Sequence, residues 1–138
     1  MKRILFFLSL MCIALASYAK PVTVEGVLKM YYISNTGEGD EVDTYIEGDG
    51  ENTCLVFAIV PDKPIDVRPY MDEEIDEEWA IQERFTILAG KMRYKPRAFA
   101  KKYANKRVRV TGAFVQIVAG WRYASEFGLQ LDKIELVK

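Results

Sequence analysis

From Pro21 to Tyr32 the chain alternates. Val22, Val24, Leu28 and Met30 share one parity, and Thr23, Glu25 and Lys29 share the other. A two-residue period over this length predicts a strand with one face in a core and one in water. Gly26 falls on the apolar parity and predicts a bulge or bend. TCLVFAIV, Thr53 to Val60, is apolar on both parities, the pattern of a central strand. PDKP then predicts a turn, and PIDV a short continuation. In WAIQERFTIL, Trp79, Ile81, Phe85 and Ile87 share one parity, which predicts a further strand with these four toward the core, ended by Gly90.

Pro96 to Ala104 has the one helical signature. Pro96 suits the first helical position, Phe99 and Tyr103 stand one turn apart, and Asn105 is placed to end it. Lys101 and Lys102 near its C-terminus complement the helix dipole. RVRVTGAFVQIV follows as a strand, with Val108 and Val110 inward, Arg107 and Arg109 outward, and Gly112 permitting a bend. AGWRYASE reads as a loop. FGLQLDKIELVK closes the chain as a strand. Its Leu129 and Leu131 fall on one parity and Ile134 and Leu136 on the other, which predicts a bulge near Asp132–Lys133. Five strands with one α-helix between the third and fourth is the order of an OB-fold. The expected class is therefore mainly β, a small five-stranded OB-like Greek-key barrel. A roll or sandwich built from the same elements fits the periodicity as well.

Two stretches lie outside this alternation. Ile33 to Asn52 is glycine-rich and holds seven carboxylates (Glu38, Asp40, Glu41, Asp43, Glu47, Asp49 and Glu51) with no lysine or arginine. It reads as a long acidic loop in which VDTYI is at most a short strand. MDEEIDEEW adds six carboxylates from Asp72 to Glu78.

The N-terminus changes the compartment. Lys2 and Arg3 precede an apolar run from Ile4 to Leu15, and Ser17-Tyr18-Ala19 places small residues where a signal peptidase reads. This predicts a signal peptide over 1–19 and a single mature domain over 20–138, exported to the periplasm or beyond the cell. A membrane span needs about 20 apolar residues, so no transmembrane anchor is expected after processing. Cys12 sits inside the apolar run behind Met11, which argues against lipidation. Removing the two basic residues of the leader leaves 17 basic against 20 acidic residues, a net of −3. Cys54 is then the single cysteine, so no internal disulfide can form, and its place in TCLVFAIV predicts a small buried hydrophobe.

There is no histidine. That removes the commonest general base and the commonest metal ligand together, so a Ser-His-Asp or Cys-His site cannot be built. No nucleophile–base spacing is visible, and the chain reads as a non-enzyme without cofactor. The acidic loop offers oxygen ligands for calcium, but neither GEGDEVD nor EGDGEN matches the calcium-loop spacing, and no metal site is expected.

Charge is distributed in blocks. From Arg84 to Arg122 there are eleven basic residues and no acidic one. Such polarity steers partners over about 8 Å at physiological salt, unless the blocks neutralise each other in the fold. Trp121, Arg122 and Tyr123, in the loop before the last strand, are the candidate ligand contacts. Lys101, Lys102, Arg107 and Arg109 form a candidate basic surface, and Asp40, Glu41 and Asp43 mark the acidic loop opposite. Single-stranded nucleic acid or another anionic ligand is one alternative. Export, a negative net charge and an acidic loop where OB-folds embrace their ligands argue against nucleic acid. The expected function is a binding module for an envelope protein, peptide or glycan. An inhibitor or immunity-type role against an envelope enzyme or toxin is a further alternative.

DKPIDV (Asp62 to Val67) and NKRVRVTGAF (Asn105 to Phe114) resemble the paired signature segments of a family of uncharacterised bacterial secreted domains. The resemblance spans most of the mature chain. It implies an OB-like fold and brings no catalytic residues. Asp66 stands where that family usually has a cysteine, and GWRYASE stands where histidines are common, so no metal or disulfide role carries over.

Overall fold

The computed structural model describes residues 20–90, 92–117 and 123–138, so the expected signal peptide over 1–19, Trp121 and Arg122 lie outside the described residues. Strand β1 (Pro21–Ser34) shows the alternation its sequence predicts, with Val22, Val24, Leu28 and Met30 buried. Its first half pairs antiparallel with β7 (Arg107–Gln116), from Pro21 opposite Ala113 to Val27 opposite Arg107. Its second half pairs with β3 (Thr53–Pro61), from Gly26 opposite Pro61 to Ser34 opposite Thr53. Gly26 belongs to both ladders. A Cβ there would stand 2.2 Å from the Val60 carbonyl oxygen, so only glycine lets β1 pass from one partner to the other.

The circle is completed by β6 (Phe85–Ala89), antiparallel to β3, and β8 (Phe127–Leu136), parallel to β6 and antiparallel to β7. The five strands close as β1-β3-β6-β8-β7-β1. Helix α1 (Pro96–Tyr103) lies between the third and fourth of them, giving the expected OB-like barrel. In the β7–β8 ladder Thr111 faces Lys133 and Gly112 faces Leu131, which leaves Asp132 as the extra residue. This one bulge satisfies both the parity change after Leu131 and the glycine at 112. A Cβ on Gly112 would lie 1.8 Å from the Gln130 carbonyl oxygen.

The core fills the barrel and continues under α1. Phe85 and Phe114 stack at 4.5 Å, and Phe127 is fully buried beside them. Burying each such ring contributes about 2–3 kcal/mol. Phe99 of α1 stacks on Tyr94 at 4.1 Å and meets Phe57 edge-on at 4.8 Å, plugging the barrel end. Burial pushes the Tyr94 phenol above its ordinary pKa. Asn105 ends the helix in the left-handed region, φ 61°. Its N–H donates to Leu28 O at 2.7 Å and its side-chain amide to Asp43 O at 3.1 Å.

Four expectations change. The short strand in the acidic stretch is β2 (Gly39–Val42), which starts three residues before VDTYI and shares only Val42 with it, because its backbone pairs with the β1 overhang from Met30 to Ile33. WAIQERFTIL is not one strand. Glu77–Ala80 forms a helical turn, Ile81–Gln82 (β5) pairs with Ile65–Asp66 (β4), and the chain enters β6 only at Phe85. Trp79 and Ile81 therefore stay outside the core, 41% and 53% exposed, while Ala80 between them is buried. Cys54 is half-buried and packs on Tyr31 and Ile33, on the outer face of the barrel. Leu136 is largely exposed. Among the described residues no helix is long and apolar enough to cross a membrane.

Candidate functional site

Thr86 is the one buried polar residue among those described. Its neighbours Phe85 and Ile87 face the core, so Thr86 points outward, and the end of the β7–β8 connection covers it. Ala124 N–H donates to Thr86 Oγ1 at 3.0 Å, the two hydroxyls of Thr86 and Ser125 lie 2.7 Å apart, and Ser125 Oγ donates to Phe127 O at 2.7 Å. Thr86 N–H also donates to Ser125 Oγ at 2.8 Å. With its proton committed to a carbonyl, Ser125 receives the hydroxyl proton of Thr86. Both hydroxyl protons are committed, which makes the pair an anchor for the connection.

The anchor fixes Ala124 against Tyr31, Ile33 and Ala58, a small apolar cluster on the outside of the barrel. Arg84 lies over the Tyr31 ring at 4.8 Å. Tyr31, Arg84 and Ala124 form the floor of an open groove of about 540 Å³. One wall is the segment from Glu78 to Arg84, with Trp79 and Ile81 at its lip; the other is Ser125 and Glu126. A second hollow of about 240 Å³ lies beyond, between Gln116, Ile117 and Phe127. Trp79 and Glu126 line both and form the ridge between them. Val67, Ile75 and Ala80 bury the inner side of the segment, and Val67 N–H donates to Ala80 O at 2.9 Å. Trp79 and Ile81 are thus held outward by a backbone that is itself fixed.

Charges differ sharply around the barrel. Arg107 donates two hydrogen bonds to Asp62, one at 2.9 Å, and Arg109 reaches Glu25 at 3.0 Å and Glu135 at 3.4 Å. The bond from Arg107 holds the Asp62 carboxyl below the ordinary carboxylate range and raises the guanidinium in turn. Arg68 does the same to Asp66. The Asp49 carboxyl is lowered by N–H groups of the next turn, Asn52 first and Thr53 second. By contrast, among the described residues no lysine or arginine lies within 4.0 Å of any carboxylate from Asp72 to Glu83, or of Glu126.

Of the expected contacts, Trp121 and Arg122 lie outside the described residues. Tyr123 is exposed and directly precedes the anchored Ala124. Lys101 and Lys102 are exposed on α1. Arg107 and Arg109 face outward as expected, but as members of ion pairs they do not form an open basic patch. Asp40 and Glu41 lie on β2 rather than in a loop, and Glu41 is 3.3 Å from Lys29; Asp43 follows directly. Trp79 and Ile81 were missed as site residues because their alternation with Phe85 and Ile87 reads as one face of a strand. The six carboxylates before Trp79 were the available sign of a segment on the surface. Among the described residues no three Cys, Asp or Glu side chains converge to hold a metal ion.

A comparison with domain families, with curated proteins and with solved structures found no match to this chain.

Proposed function

We propose that the protein is an exported, non-catalytic binding module whose contact surface is the Trp79–Ile81 groove, continued by Tyr123. One observation carries the reading: two large apolar side chains stand exposed at the lip of a groove whose floor is packed and hydrogen-bonded. Exposed aromatics beside a preformed concavity dominate recognition surfaces, because they bring contact area at little entropic cost. The nearest hydroxyls have their protons committed, and the groove supplies shape and charge. The leader-like pattern of residues 1–19 and the resemblance to secreted domains support export to the cell envelope. The partner there is a protein, peptide or glycan.

The test is capture from an envelope extract on immobilised wild type, Trp79→Ala and Tyr123→Ala, with folding of each checked by circular dichroism. Trp79→Ala is expected to lower capture about tenfold. Protease and glycosidase treatment of the extract beforehand separates protein from glycan. Undiminished capture by a folded Trp79→Ala protein removes the groove from this reading.

A further inference from the structure

We infer that the groove takes a cationic peptide segment, one that presents a lysine or arginine beside an apolar side chain. The inference rests on the reading of the groove as a contact surface and adds the chemistry of its occupant. Shape comes first. Two hollows of about 540 Å³ and 240 Å³ meet at the Trp79–Glu126 ridge, so adjacent side chains of one segment can enter on either side. The exposed Ile81 offers the apolar contact.

Charge then selects the occupant. Glu78, Glu83 and Glu126 line the larger hollow, and no cation among the described residues lies within 4.0 Å of them. Elsewhere on the barrel Glu25, Asp62, Asp66 and Glu135 each have an arginine partner. An anionic ligand would meet three carboxylates at close range. A neutral sugar could stack on Trp79 but would leave the carboxylates unanswered. A cation answers both, since an indole face attracts it and the carboxylates neutralise it. The groove's own cation is already engaged: Arg84 lies over Tyr31 on the floor. It repels a second cation there and directs the basic side chain toward the Trp79 ridge.

The experiment titrates the mature chain by calorimetry with three probes: a synthetic Lys-Leu peptide, its Glu-Leu counterpart and a neutral chitooligosaccharide. The Lys-Leu peptide is expected to bind, with affinity falling as salt rises. Trp79→Ala should weaken it about tenfold. Replacing Glu78, Glu83 and Glu126 together by Gln should weaken it about fivefold. Asp40→Asn with Glu41→Gln, which removes two negative charges against those three but on β2, should leave it unchanged. Equal weakening by the β2 pair would overturn the inference in favour of unspecific attraction. Sugar binding that needs Trp79 but not the carboxylates would overturn the cationic occupant while keeping the groove as contact surface. Binding of none of the probes would overturn the inference alone, since the capture experiment tests the groove independently.

Discussion

The wall made by β1, β7 and β8 carries its charges in pairs, whereas the segment from Asp72 to Glu83 carries them singly. In the wall, Arg109 lies between Glu25 and Glu135 on neighbouring strands, and Arg107 grips Asp62. The flank of the groove has carboxylates and an exposed indole, and its lining arginine, Arg84, lies over the Tyr31 ring rather than in an ion pair. The contrast separates two uses of charge that the sequence shows as equal blocks. From the basic block Arg107 and Arg109 tie β7 to carboxylates around it, and the carboxylates of the groove flank are left to face solvent or a partner. DKPIDV and NKRVRVTGAF are joined by the Asp62–Arg107 pair, a structural clasp between two segments far apart in the chain.

This contrast can be broken or sharpened in four ways. Gly112→Ala should have the largest effect, because it drives a methyl group into the Gln130 carbonyl at the wall's bulge. A loss on the order of 3 kcal/mol is expected in urea unfolding; a much smaller loss would mean the wall is not the rigid member. Thr86→Val leaves Ala124 N–H without its acceptor and should cost about 1–3 kcal/mol. Hydrogen exchange should quicken at Ala124 before it does in β7.

The third is acid titration. Asp62 and Asp66 titrate lower in the folded chain than in the unfolded one, so below about pH 4 the unfolded chain binds more protons. Their stabilisation is present above that range and is lost as pH falls through it. Asp62→Asn should flatten this acid limb in a thermal-melt series. The smallest effect is at the groove. Trp79→Ala should shift stability by no more than about 0.5 kcal/mol in urea unfolding, a shift that leaves binding as its main readout.

Where a strand has one wet face, the sequence announces it. β1 and β7 are legible from valines alone, and the bulge in β8 from the parity change between Leu131 and Ile134. Such signals are local, since each residue reports its own face. β2 was displaced by a few residues because nothing in GDEV favours a strand; the unpaired edge of β1 imposes it. Trp79 and Ile81 were misassigned because the alternation continues across the bend at Glu83–Arg84, where the chain leaves the small β4–β5 ribbon for the barrel. The ion pairs were illegible for a related reason: Arg109 and Glu25 meet across 84 residues of chain. Tyr123 was found as an exposed aromatic, but the groove beside it is assembled from distant segments that no spacing links.

The double ladder of β1 also bears on how fast the barrel forms. Thr23 and Thr111 face each other across β1 and β7 although 88 residues separate them. Few contacts reward the chain until that loop is closed, and the closing entropy falls on the step that shuts the cylinder. A topology of such high contact order is expected to fold on the millisecond-to-second scale rather than in microseconds. Until β7 arrives, the first half of β1 is an open edge, and the interval before closure is when the protein is most exposed to aggregation.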